Sequence, residues 1–257
     1  MDELDYFIDN AFSLVMSGYY RTRAERTVPV KPFSSSLVSA DRIPVIAEFK
    51  RRTPSVRDVS SDADVRERLT AFSHAGVCGF SILTEPHRFD GSLDNIYVAS
   101  SFGLPVLMKD FVIATDQVDA AYRLGADAVL LIMDIFERSR FNIDVLMEDI
   151  HTAGMEAVLE VNSSAQFSAA METEADVIGI NNRNLSDLSL DEGRTAKVLA
   201  EVAKDRPVIG MSGVTEAGHV TSMLDAGADA VLVGTSLMGG STALLEEIRE
   251  AVLKRRK

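Results

Sequence analysis

The sequence predicts a (β/α)8 barrel, the α/β fold in which eight parallel strands alternate with eight helices. The chain has 257 residues, which is the usual size of one such barrel. Short apolar runs of strand length alternate with longer amphipathic segments. Several of the apolar runs also end in a charged or polar residue, most clearly the run that ends in Lys109. Because these barrels collect their chemistry where the strands end, Lys109 marks a candidate active site.

The strands and helices follow one another along the chain from residue 44 onward. The predicted strands are 44–49, 79–84, 105–109, 128–133, 156–161, 177–181, 207–211 and 230–233. The predicted helices are 63–75, 93–102, 115–124, 138–153, 164–173, 190–203, 216–226 and 243–257. Long connections follow the first two strands, at 50–61 and 85–92, and have the length of binding loops.

Residues 1–41 are predicted to form an N-terminal helical extension and a linker within a single TIM-barrel domain, 1–257, whose barrel spans 42–257. Apolar residues at helical spacing, including Leu4, Phe7 and Leu14, predict one helix or two within residues 1–26. Two prolines and a run of serines predict a linker at 27–41.

One short motif occurs twice. Gly-Ala-Asp-Ala-Val-Leu stands at 125–130 and again at 227–232. In each copy the glycine is placed to end a helix in a left-handed conformation, and the apolar run begins the next strand. The repeat supports two helix-to-strand boundaries and indicates no chemistry.

Composition excludes several classes of function. The net charge of −13 argues against a nucleic-acid or an anionic membrane partner. Cys78 is the only cysteine, which excludes an intrachain disulfide and a cysteine zinc site and fits a cytoplasmic protein. The N-terminus has no signal-peptide pattern, and no apolar run approaches the roughly 20 residues of a membrane span. The four histidines show no metal-ligand spacing, so we expect no metal.

The loops after strands 7 and 8 predict a phosphate site. Ser212 and Gly213 follow strand 7, and Gly234, Thr235 and Ser236 follow strand 8. Loops at these two places bind phosphate in many such barrels, because glycine admits the anion and N–H groups at a helix start point at it. The alternative is that these residues are ordinary turn glycines and caps.

Charged residues at the ends of strands 1, 3 and 5 predict acid–base chemistry. Lys109, Glu160, Glu48 and Lys50 can all face the barrel mouth. A lysine near a second cation or in a dry pocket gives up its proton more readily, and a carboxylate near a lysine stays ionised and can act as a base. The alternative is structural: Lys109 pairs with Asp110 or Glu160, and Glu48 only anchors Lys50.

Two residues after strand 6 add polar groups to the same mouth. Asn181 can orient a hydroxyl, and Arg183 can meet an anion or only brace its loop. Together with the phosphate loops, these residues predict acid–base chemistry on a phosphorylated small molecule.

A set of motifs in one order carries a family resemblance across residues 42–240. The motifs are Ile46-Ala-Glu-Phe-Lys50 with Thr53-Pro-Ser55, Leu83-Thr-Glu85 with Phe89-Asp-Gly-Ser92, Leu107-Met-Lys-Asp-Phe111, Glu160-Val-Asn162, Gly179-Ile-Asn-Asn-Arg-Asn-Leu185, Ser212-Gly213 and Val233-Gly-Thr-Ser-Leu-Met238. In this order and strand placement, the chain resembles the indole-3-glycerol-phosphate synthase family.

The resemblance implies a cofactor-free reaction of tryptophan biosynthesis. Ring closure, decarboxylation and dehydration convert 1-(2-carboxyphenylamino)-1-deoxyribulose 5-phosphate into indole-3-glycerol phosphate. By this likeness Lys109 is the general acid on the ribulose carbonyl, and Lys50 pairs with the substrate carboxylate and serves as an acid in dehydration. Glu160 is the base or the partner of the cationic intermediate. Glu48 orients Lys50 and takes part in proton transfer, and Asn181 holds a substrate hydroxyl.

The resemblance also implies residues that contact the substrate, which are Thr53, Phe89, Phe111, Leu131, Arg183 and Ser212. Among them, Phe111 and Leu131 are expected to line the pocket of the aromatic ring, with Phe89 close by. The family's N-terminal segment packs over the barrel mouth, which gives residues 1–40 a role in substrate binding.

Two positions depart from the family pattern. Met211 stands where the family usually has an acidic residue, and methionine neither carries charge nor accepts a strong hydrogen bond. Asp90 stands where the family usually has asparagine, which adds negative charge beside an anionic substrate.

Two rival functions follow from these observations. One is another phosphate-binding barrel enzyme, such as phosphoribosylanthranilate isomerase, which requires a different acid–base pair. The other is a catalytically silent barrel that binds a phosphorylated ligand or a partner enzyme, supported by Met211 and Asp90. As an enzyme, the chain is expected to be a monomer with weak association to other tryptophan-pathway enzymes.

Overall fold

Eight parallel strands close into a barrel in sequence order, which confirms the predicted (β/α)8 fold. A computed structural model describes residues 2–54 and 64–255. The strands are β1 Ile43–Phe49, β2 Val77–Leu83, β3 Val106–Lys109, β4 Ala128–Ile132, β5 Glu156–Val161, β6 Val177–Asn181, β7 Val208–Met211 and β8 Ala230–Val233. Every predicted strand is present, and each predicted strand end lies within two residues of the observed end.

Helices surround the barrel and precede it. They are α1 Glu3–Ser17, α2 Phe33–Leu37, α3 Val65–Ala75, α4 Asp94–Ser100, α5 Thr115–Leu124, α6 Met133–Arg138, α7 Ile143–Thr152, α8 Ser164–Met171, α9 Arg194–Glu201, α10 Ala217–Asp225 and α11 Ala243–Arg255. Of the helices in the described ranges, none combines the length and the hydropathy that a membrane span requires. Three parts of the prediction lie outside the described residues: most of the connection 50–61, the helix start at residue 63, and the last two residues of the helix 243–257.

Three predicted segments differ from the structure. The predicted helix 190–203 begins later, as α9 at Arg194, because Leu190 forms an antiparallel β-bridge with Arg183. The predicted helix 138–153 is divided into α6 and α7, because Ser139 is extended and the side chain of Asn142 accepts a hydrogen bond from the Asp144 backbone N–H to begin α7. The predicted linker 27–41 contains α2, whose Phe33 and Leu37 are buried. The backbone N–H of Ser34 donates to Glu156 at the start of β5, at 2.7 Å, so α2 covers the floor of the barrel.

Side chains alternate between the barrel interior and the surrounding helices. In β4, Leu130 and Ile132 belong to the interior cluster, whereas Val129 and Leu131 pack with residues of the outer helices. All five residues of β4 are buried, as expected where a parallel sheet is covered on both faces.

Three aspartates link neighbouring strands at the floor of the barrel. Asp127, Asp176 and Asp229 each precede an even-numbered strand, and each side chain accepts the backbone N–H of a residue in the strand before it, at 2.9, 2.8 and 2.7 Å. We call these contacts the aspartate links. Asp127 and Asp229 are the aspartates of the repeated motif, so the repeat has a structural function beyond its helix-to-strand boundary.

Helix α1 lies over the opposite end of the barrel, the mouth formed by the C-terminal ends of the strands. It begins with a capping box in which Asp2 and Asp5 accept each other's backbone N–H groups. Its apolar face, with Leu4, Phe7 and Ala11, is buried in the same cluster as the barrel interior. Residues 1–26 therefore contain one helix within the described part, and this helix helps to form the mouth.

Candidate active site

A cavity of about 380 Å³ opens at the mouth of the barrel. It is lined by twelve of the residues that the sequence predicted, which are Glu48, Lys50, Thr53, Phe89, Lys109, Asn181, Arg183, Ser212, Gly213, Gly234, Thr235 and Ser236. Charged groups gather at the ends of β1, β3 and β6, and the two glycine loops follow β7 and β8. Charged side chains therefore line one end of the cavity. The glycine loops line the other end, where the sequence predicts phosphate.

Glu160 joins Lys109 and Asn181 into one polar group. The Lys109 Nζ lies 3.6 Å from Glu160 Oε2, and Asn181 Nδ2 donates to Glu160 Oε1 at 2.8 Å. Glu160 is 3% exposed, and its Oε2 accepts no hydrogen bond from the described residues. A buried carboxylate oxygen normally has a hydrogen-bond partner, so this atom is an unused acceptor beside the ammonium group of Lys109.

Asp110 is not the partner of Lys109. Its buried carboxylate accepts hydrogen bonds from Thr84 Oγ1 at 2.5 Å, from the Tyr20 hydroxyl at 2.9 Å and from the Phe111 backbone N–H at 2.8 Å. Burial raises the pKa of Asp110 to about 6. Of the two structural partners considered for Lys109, Asp110 and Glu160, only Glu160 remains.

Glu48 and Lys50 form a second pair on β1 and just after it. Lys50 Nζ donates to Glu48 Oε1, and both side chains are largely buried. Gly234 lies directly against this pair: a Cβ atom at that position would stand 2.9 Å from Glu48 Cδ and 3.0 Å from Lys50 Nζ. Gly234 is therefore required for the Glu48–Lys50 pair to fit, in addition to its predicted place in the phosphate loop.

The two predicted phosphate loops touch each other. Ser212 and Gly213 both have positive φ, 67° and 84°, and Ser236 Oγ donates to the carbonyl of Val214. The proton of the Ser236 hydroxyl is thus directed at Val214 rather than at the cavity. Thr235 is exposed and begins a 3-10 turn, Thr235–Leu237.

Arg183 braces its own loop while it lines the cavity. Its Nη1 donates to the carbonyl of Leu188 at 2.7 Å, and its backbone N–H donates to Asn181 Oδ1 at 2.9 Å. Leu185, Leu188 and Leu190 of the same loop add an apolar wall to the cavity. Sequence reasoning missed these leucines, although their spacing within a polar loop is a signal of contact with something apolar.

The aromatic end of the site is formed differently from the prediction. Phe7 of α1 lines the cavity and stacks on Phe111, which lies behind it and is 5% exposed. Phe89 lines the cavity with its ring centroid 5.8 Å from that of Phe7. Leu131 does not face the cavity, because alternation along β4 turns it toward the helices. The prediction that Leu131 lines the pocket of the aromatic ring is therefore wrong. Leu83 of β2 does line the cavity.

Helix α1 and the turn that follows it are held over the mouth by hydrogen bonds to the loop after β2. Asn10 Nδ2 donates to Glu85 Oε1 at 2.8 Å, and the Tyr19 hydroxyl donates to the carbonyl of Thr84 at 2.9 Å. Glu85 is 1% exposed and also accepts the backbone N–H groups of residues 87–89. Glu85 therefore shapes the loop that carries Phe89 and connects it to α1.

The comparisons with known proteins identify the family. The family model described as indole-3-glycerol phosphate synthase matches residues 13–250. The chain belongs to the indole-3-glycerol phosphate synthase family. It is thus a carboxy-lyase of tryptophan biosynthesis, which confirms the prediction from the sequence motifs and disfavours the isomerase alternative.

Relatives in this family match most of the chain. The indole-3-glycerol phosphate synthase of Sulfurisphaera tokodaii is 35% identical over 231 residues, which cover 89% of this chain and 92% of the relative. That of Methanocaldococcus jannaschii is 34% identical over 82% of this chain and 78% of the relative. A multifunctional tryptophan biosynthesis protein of Phanerodontia chrysosporium is 37% identical over 82% of this chain and 27% of its own length.

Solved structures match the fold alone. The N-acetylmannosamine-6-phosphate 2-epimerase of Clostridium perfringens superimposes with a TM-score of 0.61 and 12% identity, over 90% of this chain and 99% of that one. A thiamine phosphate pyrophosphorylase from Pyrococcus furiosus gives a TM-score of 0.58 and 18% identity, over 83% of this chain and 97% of that one.

The two departures from the indole-3-glycerol phosphate synthase pattern lie in different places. Met211 lines the cavity, is 1% exposed, and packs its thioether end against Gly179 on the neighbouring strand β6. Asp90 is exposed in a left-handed conformation with φ 52° and does not line the cavity. Asp90 thus lies apart from the cavity lining, whereas Met211 gives the interior an apolar surface beside Asn181.

Proposed function

We propose that the chain closes the indole ring of 1-(2-carboxyphenylamino)-1-deoxyribulose 5-phosphate, with loss of carbon dioxide and water, to give indole-3-glycerol phosphate. The observation that carries the proposal is one cavity lined by the Lys50–Glu48 pair, by Lys109 and by the two glycine loops. Glu160 is buried behind this lining, 3.6 Å from Lys109 Nζ, and completes a second lysine–carboxylate pair. Two acids, two bases and an anion site are the groups that this sequence of steps requires.

Ring closure is assigned to Lys109. In this step the ring carbon that carries the carboxylate attacks the ribulose carbonyl, whose oxygen takes a proton from the ammonium group. Glu160, 3.6 Å from Lys109 Nζ, keeps that proton donor in place. It also balances the positive charge that develops on the amine nitrogen attached to the aromatic ring. Asn181 fixes Glu160 from the other side and is within reach of a sugar hydroxyl.

Decarboxylation and dehydration are assigned to the second pair. Lys50 pairs with the substrate carboxylate before its carbon–carbon bond breaks and leaves the bonding electrons in the ring. The hydroxyl formed by ring closure then departs as water with a proton from Lys50, while Glu160 or Glu48 removes the proton that restores the indole double bond. The hydrogen bond from Lys50 to Glu48 orients the lysine for both tasks.

Substrate binding is assigned to the two ends of the cavity. The phosphate lies at Ser212, Gly213, Gly234, Thr235 and Ser236, which line one end of the cavity. The backbone at 212 and 213 is left-handed, and left-handed residues are a part of backbone anion-binding nests. The aromatic ring lies near Phe89 and Phe7, with Phe111 supporting Phe7 from behind. Thr53 and Arg183 line the cavity between these ends and contact the substrate there.

The experiment that tests this function is the appearance of indole fluorescence when the purified chain meets the proposed substrate. The chain contains no tryptophan, so the protein background is low. Lys109→Ala is expected to lower kcat by about 10²–10⁴-fold while circular dichroism remains that of the folded chain. Lys197→Ala, on the exposed side of α9, is the matched control and should turn over normally. A rise that survives Lys109→Ala would move the acid to Lys50.

The silent-barrel alternative is favoured by one observation, the apolar Met211 where the family usually has an acid. A silent barrel would be stabilised by the substrate without turning it over. At a ligand concentration of about 100 times Kd, binding adds about 2.7 kcal/mol to the free energy of unfolding. Stabilisation without fluorescence would then be followed by Met211→Glu and Asp90→Asn, and recovery of turnover would assign the loss to these positions.

We also propose that the chain is a monomer that associates weakly with another enzyme of the pathway. The multifunctional relative from Phanerodontia chrysosporium, in which the matched region is 27% of the length, supports an arrangement beside other catalytic units. Light scattering on the purified chain tests the monomer, and a single species at twice the mass would contradict it.

A further inference from the structure

Asn182 is a fully buried residue beside the cavity to which none of the roles above is assigned. It follows Asn181, whose side chain contacts Glu160, so its own side chain points away from the barrel interior. There Oδ1 accepts hydrogen bonds from the backbone N–H and the hydroxyl of Thr195, at 3.0 and 2.8 Å. On the other side, Nδ2 donates to the carbonyl of Ser212 at 3.3 Å.

The contact with Ser212 falls on a strained residue. Ser212 has φ 67°, a left-handed conformation that is strained for any residue other than glycine and that persists where the surrounding structure fixes it. The backbone N–H of Asn182 also donates to the carbonyl of Met211 at 2.9 Å. Asn182 thus holds the carbonyl groups on both sides of the strained Ser212 dihedrals.

We propose that Asn182 is a positioning residue for the phosphate group of the substrate. By holding Ser212 in its left-handed conformation, Asn182 directs the backbone of Ser212 and Gly213 into the cavity. This inference rests on the proposed function, because it assigns the 212–213 loop to phosphate. Asn182 itself touches no substrate and acts through Ser212.

The inference predicts a specific effect of Asn182→Ala on phosphate binding. The variant loses the donor to Ser212 and keeps the backbone contact with Met211. We expect Kd for inorganic phosphate, measured by calorimetry, to rise about three- to tenfold, as for the loss of one hydrogen bond. KM for the phosphorylated substrate should rise by the same factor, with kcat within about threefold, because phosphate contacts are present before and during reaction.

Thr195→Val is the matched control. It removes a hydrogen bond to the same buried amide without touching Ser212. It should lower the thermal midpoint and leave Kd for inorganic phosphate within about twofold, well under the effect expected of one lost hydrogen bond at the site. An equal weakening of phosphate binding by Thr195→Val and Asn182→Ala would reduce Asn182 to a structural residue and overturn the inference.

A double-mutant cycle with Ser212→Gly gives the sharpest comparison. Glycine adopts positive φ without steric penalty, so it needs less help from Asn182. In the Ser212→Gly background, the effect of Asn182→Ala on phosphate Kd should shrink to under about twofold. An undiminished effect would overturn the inference. If Asn182→Ala does not fold, Asn182→Ser, whose side chain is too short to reach the Ser212 carbonyl, enters the same cycle.

Phosphate binding and turnover separate this inference from the proposed function. If the unsubstituted chain forms no indole but its phosphate binding depends on Asn182 as described, the reaction fails and the inference stands. If it forms indole and Asn182→Ala leaves phosphate binding unchanged, the inference fails and the reaction stands. An unsubstituted chain that binds no inorganic phosphate overturns the inference.

Discussion

The ring of Phe7 lies parallel to the ring of Phe111, with centroids 4.1 Å apart and planes 7° apart. Phe7 belongs to the N-terminal helix, and Phe111 follows Lys109 by two residues. The stack therefore connects the covering helix directly to the strand that carries the proposed general acid. A displacement of α1 would therefore also displace Phe7, which lines the cavity.

Phe7→Leu tests the role of this stack. Leucine keeps apolar volume but removes the aromatic pair, which contributes about 0.5–1.5 kcal/mol beyond its buried area. We expect KM for the substrate to rise about three- to tenfold and kcat to change by less than about threefold, measured by indole fluorescence. Phe12→Leu is the control on the same helix, because Phe12 is 53% exposed. Identical kinetics for Phe7→Leu and the unsubstituted chain would contradict a role in binding.

Gly234→Ala tests the fit of the Glu48–Lys50 pair. The added methyl group would meet Glu48 and Lys50 and push their hydrogen bond apart. We expect kcat to fall by at least about 10²-fold, the lower end for a displaced acid or base. Gly239→Ala is the control, because a Cβ there meets no atom within 4 Å. Full activity in Gly234→Ala would show that the pair can be displaced without loss.

Asp110 gives a prediction about pH. Its pKa is raised by burial to about 6 in the folded chain, whereas an aspartate in an unfolded chain has a pKa of about 3.9. Between these two values the folded state keeps a proton that the unfolded state has released, so this group lowers stability as the pH rises from about 4 to 6.

Asp110→Asn removes that titration. From pH 4 to pH 7, the free energy of unfolding of the unsubstituted chain should fall by about 2 to 3 kcal/mol relative to the variant. Urea unfolding across this range measures the difference. Asp9→Asn, at an exposed site on α1, is the control and should run parallel to the unsubstituted chain. A constant difference between Asp110→Asn and the unsubstituted chain would contradict the raised pKa.

Asp127→Asn tests the buried charge at the barrel floor. Asp127 is fully buried and pairs with Arg26 at 2.7 Å, whose side chain is 5% exposed. Loss of the charge leaves that arginine unpaired, which costs about 3–5 kcal/mol of unfolding free energy. Asp229→Asn is the matched variant: its side chain is 23% exposed and its partner Lys204 30%, so we expect about 1–2 kcal/mol. Equal losses in urea unfolding would contradict the argument.

The sequence predicted the strands because each is a short apolar run bounded by glycine, proline or polar residues. It could not say which residues of a run face the interior, since a strand buried on both faces reads as continuously apolar. Leu131 shows the consequence: its neighbours Leu130 and Ile132 face inward, and it does not. At the reacting end the polar residues themselves marked the inward face, so Lys109, Glu160 and Asn181 were placed together.

The features that the sequence did not predict are contacts between segments that are distant in sequence. The helical spacing of α1 was visible, but the stacking of Phe7 on Phe111 depends on how that helix crosses the mouth. Likewise the twofold Gly-Ala-Asp motif marked two boundaries, whereas the hydrogen bonds of Asp127 and Asp229 appear only once the strands are paired. Local sequence patterns therefore predict the helices and strands, whereas the contacts between distant side chains depend on how these elements pack.

The aspartate links also divide the barrel into modules. Each link joins residues only 21, 19 or 21 positions apart, and each lies within one strand–helix–strand pair: β3 with β4, β5 with β6, β7 with β8. The first pair, β1 and β2, is joined at the same level by the Ile43 backbone N–H and the Gly76 carbonyl. Each of the four strand pairs thus has a local contact of its own at the floor, and a chain divided between these pairs would keep every aspartate link within one fragment. Because these contacts all lie at the floor, the sequence of the loops at the mouth can change without breaking any of them.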